Sequence, residues 1–430
     1  MAEQAIVPIS TITILVAPPP PPPPPPSQPW RFVAIPDIKV RSIAFHPKPL
    51  LMPYFVTGCG ELAKLCRYSD TPPKEDTTLN EGFGFVYSVA FNYDGSLLAT
   101  GCGDESKNSV NLWSFSMDNP PVPSLVASLS GHTKSVRCVA FHSTGRLLAS
   151  GSSDHKVKLW KISPDNLSAE CMATVHDHTG CVNSVAFHQK YPSYLATGSD
   201  DKTAILWEVS LDQPEGEPRL LATLGDHTTF ISSVAFHPEE LLLATASHDH
   251  TARLYRFSQE SPRNVNCVAT LQVCKTNAVY SLAFHPALPY LVTGSGDKTA
   301  KVWNFTNESD VKCVATLEGH SSGVLAVAFN KNMYGTLATA SIDGTVKLWQ
   351  TSDILRLPHS AQQQIFGKEL GFFGERRNDG SISDTFRRVG AGNDKNKGGM
   401  TKNGGRRRRR SRSRSRRRNH RRSRKQHGRR

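Results

Sequence analysis

The sequence predicts an all-β protein, a closed seven-bladed β-propeller of four-stranded antiparallel blades. Three observations predict it. One phrase of about twelve residues recurs along the chain, it does so with a period of 46 to 48 residues, and the residues between copies alternate apolar and polar as strands do.

The phrase reads ASGSSDHKVKLW at 149, ATGSDDKTAILW at 196, ATASHDHTARLY at 244, VTGSGDKTAKVW at 292 and ATASIDGTVKLW at 338. Two weaker copies precede these, VTGCGELAKLC at 56 and ATGCGDESKNSVNLW at 99, so the copies end at 66, 113, 160, 207, 255, 303 and 349. Upstream of each stands an A-F-(H/N) run, at Phe45, Phe91, Phe141, Phe187, Phe236, Phe284 and Phe329. Taken in order, a unit is a strand ending near that Phe, a turn, a strand such as LLAT, a tight turn at the Asp, and a strand ending at the Trp position. A fourth run, such as CVATL, precedes the next unit, and four short strands per repeat make one blade.

A ring must also close, because an open seam leaves a row of unpaired backbone groups. The run WRFVAIPDI has the pattern of the CVATLEGH strand, and the last unit holds only three strands in residues 324–349. Phe32 to Ile35 are therefore expected to complete the seventh blade.

These units resemble the WD repeat family over about residues 30–350. Five end in the family's Trp; the first ends in Cys66 and the fifth in Tyr255. The family's Gly-His pair stands at Gly131 and His132 and at Gly319 and His320, with Asp before His178 and His227, and is missing from units one, two and six. The resemblance implies a buried network at each Asp turn: His132, Ser150, Asp154 and Trp160; His178, Thr197, Asp201 and Trp207; His227, Thr245 and Asp249, with Tyr255 for Trp; and His320, Thr339, Asp343 and Trp349. The His-to-Asp spacing is 22 or 23 in all four, as one shared geometry requires. A carboxylate at a tight turn accepts backbone and imidazole N–H bonds, a hydroxyl bridges, and an indole N–H donates.

Ser, His and Asp together also suit a hydrolase. An enzyme needs one exposed nucleophile, whereas a structural bond set recurs in every repeat, so no catalytic residue is assigned. His46, His142, His188, His237 and His285 follow the strand Phe in five different units. That places them too far apart to share a metal ion, and they read as turn decoration; no metal or cofactor is expected.

The resemblance implies that proteins or peptides bind the face carrying the Asp turns. By strand parity, residues flanking the first strand's Val or Ile point to that rim. Arg41, Phe85, Tyr87 and Arg137 fall there on consecutive units, joined by Phe230 and Tyr280, and aromatics with Arg compose interface hot spots.

The net charge of +14 is unevenly held: residues 361–430 carry 24 Lys and Arg against 5 acids, leaving the first 360 residues at −5. The nine cysteines are scattered without a C-x-x-C pair, which points to free, buried thiols in a reducing compartment. Residues 5–17 are apolar, but no basic residue precedes them and a proline interrupts them, so neither leader nor membrane span is expected.

Four regions follow: a proline-rich segment at 1–29, the propeller at 30–350, a Gly- and Asn-rich linker at 351–405, and a basic tail at 406–430. The nine prolines at 18–26 form a polyproline II rod about 28 Å long, suited to an aromatic groove of a polyproline-binding domain. In the tail, Arg406, Arg407, Arg408, Arg409, Arg410, Arg412, Arg414, Arg416, Arg417 and Arg418 offer guanidinium forks to phosphate, as RNA or DNA binding or an import signal requires. Ser411, Ser413 and Ser415 alternate with them, resembling arginine-serine domains, and phosphorylation there would weaken that grip. The expectation is a nuclear or nucleocytoplasmic, non-enzymatic scaffold, a monomeric propeller within a larger complex. The alternative is a cytoskeletal adaptor working through the prolines.

Overall fold

The computed structural model describes residues 31–34, 39–48, 52–69, 74–80, 84–104, 107–115, 121–166, 168–210, 218–330, 335–351 and 354. Among them, seven four-stranded antiparallel sheets follow one another in chain order. Blade four shows the pattern, with an inner strand Val182–Phe187, a second Tyr194–Ser199, a third Ala204–Glu208 and an outer Arg219–Leu224. The second strand is buried at every position, because neighbouring blades cover both its faces. The outer strand alternates, Leu221 and Leu224 inward and Arg219 and Leu220 to solvent.

Apolar burial is distributed over seven seams. Each hydrophobic cluster joins two adjacent blades, for example Leu195, Ile205 and Trp207 of blade four with Leu147, Ala149 and Leu159 of blade three. Closure uses the same rule, since Val40, Phe55 and Cys66 of blade one pack on Ala338, Val346 and Leu348 of blade seven. Strand Arg31–Ala34 pairs antiparallel with Thr345–Gln350, Arg31 opposite Leu348 and Ala34 opposite Thr345. The expected closing strand is present, one residue earlier than its pattern suggested, and Ile35 lies outside the described residues.

Polar struts set the spacing of the seams. Ser42, Ser88, Ser184 and Ser281, the serine of the S-(I/V/L)-A-F run, accept the inner-strand N–H of Val89, Val139, Val234 and Val327 in the next blade, at 3.0–3.2 Å. Three of the five histidines after the strand Phe, His46, His142 and His188, are more than turn decoration. In His188, Nδ1 accepts the N–H groups of Lys190 and Tyr191, so the ring proton sits on Nε2, which donates to the Glu240 carbonyl of blade five at 3.0 Å. His46 and His142 reach the next blade's Gly95 and Pro192 carbonyls in the same way. Gly95 has φ +76°, and a Cβ there would lie 2.2 Å from His46 Nε2, so only glycine admits the strut.

Cysteine placement departs from expectation. Cys59, Cys66, Cys102, Cys138 and Cys274 are buried and Cys181 half-buried, but Cys171, Cys267 and Cys313 are exposed. All three stand on outer strands, where alternate residues face solvent, so an apolar run did not imply burial. Burial pushes the Cys138 thiol up to about 12. No helix among the described residues is long and apolar enough to cross a membrane.

Burial leads the lowering of the pKa of His46, His142, His188 and His237, taking His188 to about 4. A histidine at about 6.5 when unfolded then contributes stability fully above that pH and loses it as pH falls toward 4. The melting temperature should fall through this window. His188→Asn, the residue blades two and seven carry at positions 92 and 330, should flatten that acid limb. An unchanged slope in thermal melts from pH 7 to pH 4 would count against the struts.

Candidate protein-interaction face

The Asp turns and the first turns of the inner strands crowd one face of the ring. Beneath them lies a relay in four blades. In blade three, Trp160 Nε1–H donates to Ser150 Oγ at 2.8 Å; Ser150 stands 2.8 Å from His132 Nε2, and His132 Nδ1 2.9 Å from Asp154 Oδ2. Direction follows from the indole, which only donates. The Ser150 hydroxyl thus accepts from the indole and bridges it to the imidazole, whose Nδ1 faces the carboxylate. Asp154 also accepts the N–H of Thr133 at 2.9 Å and of Lys156 at 3.0 Å.

Blade four repeats the chain through Trp207, Thr197, His178 and Asp201 at 3.0, 2.7 and 2.7 Å. Blade seven does so through Trp349, Thr339, His320 and Asp343 at 3.0, 2.8 and 3.0 Å. In blade five, His227 bridges Thr245 at 2.6 Å and Asp249 at 2.8 Å, while Tyr255, 1% exposed, fills the Trp slot. Burial opposes ionisation of these carboxylates, but the donated bonds prevail. Asp154 and Asp201 lie far below the usual range, and Asp249 and Asp343 near 2. Ser150, Thr197, Thr245 and Thr339 are each 0% exposed, so none offers its oxygen to a substrate. The Gly131 that precedes His132 has φ +141°, a conformation that explains the Gly-His pair there.

Where the pattern fails, other side chains take over, and sequence reasoning missed them. Blade two runs from Ser128 Oγ to Asn111 Oδ1 at 2.6 Å, from Asn111 Nδ2 to Cys102 Sγ at 3.8 Å, and from Cys102 to Thr100 at 3.6 Å, with Trp113 donating to Thr100 at 3.3 Å. An Asn between Val110 and Leu112, where other blades carry apolar or long cationic residues, was the available signal. Blade one differs: at the end of its strands away from the Gly60 turn, Asp76 accepts Tyr54 O–H at 2.8 Å and Arg67 Nε–H at 2.7 Å, outside the relay position.

The rim residues share a backbone cause. Every inner strand breaks register at the residue after its first Val or Ile: Arg41, Tyr87, Arg137, Asn183, Ser232, Tyr280 and Leu325. A β-bulge leaves one residue unpaired and re-aims its side chain. Strand parity found these positions without predicting the bulge.

Two groups form. Arg41 and Arg137 lie over the Tyr87 ring at 5.4 and 4.7 Å, and Arg137 Nε donates to Ser153 Oγ at 2.7 Å. Phe85 beside them is 46% exposed. On blades five and six, His248 joins Phe230 and Tyr280, with ring centroids 5.8 and 5.5 Å away. Between the groups, Asn183 donates to Asp200 Oδ1 at 2.7 Å and to the Ile231 carbonyl at 3.0 Å. Asp200, the residue before the relay's Asp201, is half-buried and tied into the rim. The polyproline run, the arginines from 406 to 418 and the three tail serines lie outside the described residues.

Six stretches match the family model for the WD domain, G-beta repeat: 75–114, 123–161, 169–208, 218–256, 265–304 and 311–350, more than half of the chain. The chain belongs to that family. Each match begins at the outer strand of one blade and ends at the third strand of the next, so WD repeat and blade are offset by one strand. Among curated WD relatives, Protein HIRA of Dictyostelium discoideum is 30% identical over 140 residues, 29% of this chain and 12% of that protein. Protein HIRA of Homo sapiens is 26% identical over 153 residues, 30% of this chain and 15% of that protein. Nuclear distribution protein PAC1 of Arthroderma benhamiae is 33% identical over 129 residues, 28% and 26%. The matched stretch spans about a quarter or less of these relatives. WD membership implies a protein-interaction scaffold.

Asp201→Ala would strand the N–H groups of His178, Thr179 and Thr203, each at about 1–3 kcal/mol. The melting temperature should drop by a few degrees or more, readable by calorimetry; an unchanged value would refute the relay's contribution.

Proposed function

We propose that this WD protein is a non-enzymatic assembly platform that holds a protein partner on the rim of Arg41, Phe85, Tyr87, Arg137, Phe230 and Tyr280. The observation that carries this reading is the recurrent bulge, which presents one side chain from every blade, of five residue types in all, to one rim while the repeated positions beneath stay structural. The Arg-rich tail engages nucleic acid, RNA before DNA, and directs the chain to the nucleus. Its 16 Lys and Arg in residues 406–430, without one acid, support a phosphate-binding role. Phosphorylation of Ser411, Ser413 and Ser415 would tune it. The nine prolines favour a second reading, an adaptor recruiting polyproline-binding proteins of the cytoskeleton.

Crosslinking with mass spectrometry in cells should place one partner's crosslinks on the rim face. RNA affinity of the full chain should fall steeply with salt, and a 1–405 truncation should lose it. Crosslinks confined to the blade edges would remove the rim from the proposal. Equal RNA affinities for the two chains would remove the tail.

A further inference from the structure

We infer that the rim of blades one to three is a receptor for an acidic protein segment, in which Arg41 and Arg137 each take one carboxylate. This rests on reading that rim as the partner surface. Arg41 comes from the blade before Tyr87 and Arg137 from the blade after it, so one tyrosine ring on the middle blade gathers two guanidinium groups from its neighbours. A cation–π contact uses the face of a guanidinium, and its N–H donors lie in the plane. The Ser153 bond occupies only Nε of Arg137, so its terminal nitrogens remain available.

Among the described residues, neither guanidinium makes an ion pair with a carboxylate. Arginine–carboxylate pairs among the described residues are made by Arg67, Arg219 and Arg256. Lys39 and Lys134, both exposed, flank the pair and add to the positive potential. Arg41 is exposed and Arg137 half-buried, so both side chains reach the rim.

Three features identify the occupant. Two guanidinium groups already engage the Tyr87 ring, in competition with the base stacking that an aromatic contributes to single-stranded RNA binding. The two guanidinium groups come from blades on either side of Tyr87, which suits two separate anionic groups better than one phosphate. Alternate side chains of an extended peptide project on one side about 7 Å apart, which suits two carboxylates separated by one residue. The chain's own Arg-rich tail is repelled by the same charge.

Fluorescence anisotropy on the full chain tests this with three probes: a decapeptide centred on Glu-x-Glu, its Gln-x-Gln counterpart, and decauridylate. The acidic peptide should bind about tenfold tighter than the neutral one, as charge-assisted bidentate bonds imply. Arg41→Gln and Arg137→Gln should each weaken it several-fold and the double variant by at least about tenfold, while decauridylate binding stays unchanged. Arg→Lys at both positions, which keeps the charge and loses the fork, should fall between, provided melts show the fold intact. An acidic peptide that binds the double variant as it binds the native chain, through the tail for example, overturns the inference. So does a double variant that loses decauridylate and keeps the peptide. If a crosslinked partner still occupies the rim of the double variant, the scaffold reading stands and the acidic specificity falls.

Discussion

Every blade depends on its neighbours, because a sheet four strands wide cannot hide its own second strand. In each blade that strand is buried on both faces, and each apolar cluster is shared between two blades. A buried Leu or Val contributes about 1.5–3 kcal/mol and a hydrogen bond about 1 kcal/mol net, so apolar stacking supplies most of the cohesion. The ring has to close for the first and last blades to be stable at all. That is why a four-residue strand, distant in sequence, completes blade seven.

Polar groups decide how the seams register. A propeller of purely apolar faces would slide, whereas Ser184 to Val234 and His188 to Glu240 hold adjacent blades at fixed heights. The relay under the Asp turns has the same logic within a blade. Its groups resemble a catalytic triad in kind and order, yet the hydroxyl is sealed beneath an indole and accepts a bond from it. Burial with full hydrogen bonding makes it rigid and removes it from chemistry.

Architecture and recognition are thus separated by position. Residues that repeat point into seams; residues at the bulges differ from blade to blade and point to the rim. Blades one to three present Arg, Tyr and Arg there, and blades five and six a neutral aromatic group around His248. Some bulge residues also bond the next blade, as Asn183 does with the Ile231 carbonyl, so rim and seam meet at these positions.

Much of this was legible in the chain alone, because repetition at a period near 47 residues and alternation within each repeat are local properties that the backbone obeys directly. Blade number and the closing strand follow from spacing and pattern, the residues of the four relays from the resemblance to WD repeats, and the rim positions from strand parity. Other features appear only once blades are stacked. His46, His142 and His188 became struts because the next blade's carbonyl arrives at 3.0–3.2 Å, and the Asn111 and Cys102 chain of blade two depends on strands pairing across it. Exposure of Cys171, Cys267 and Cys313 was decided by which strand lies at the blade's edge. Pairing of Arg41 and Arg137 around Tyr87 joins residues 96 positions apart, and no pattern within one repeat can report a contact made among three.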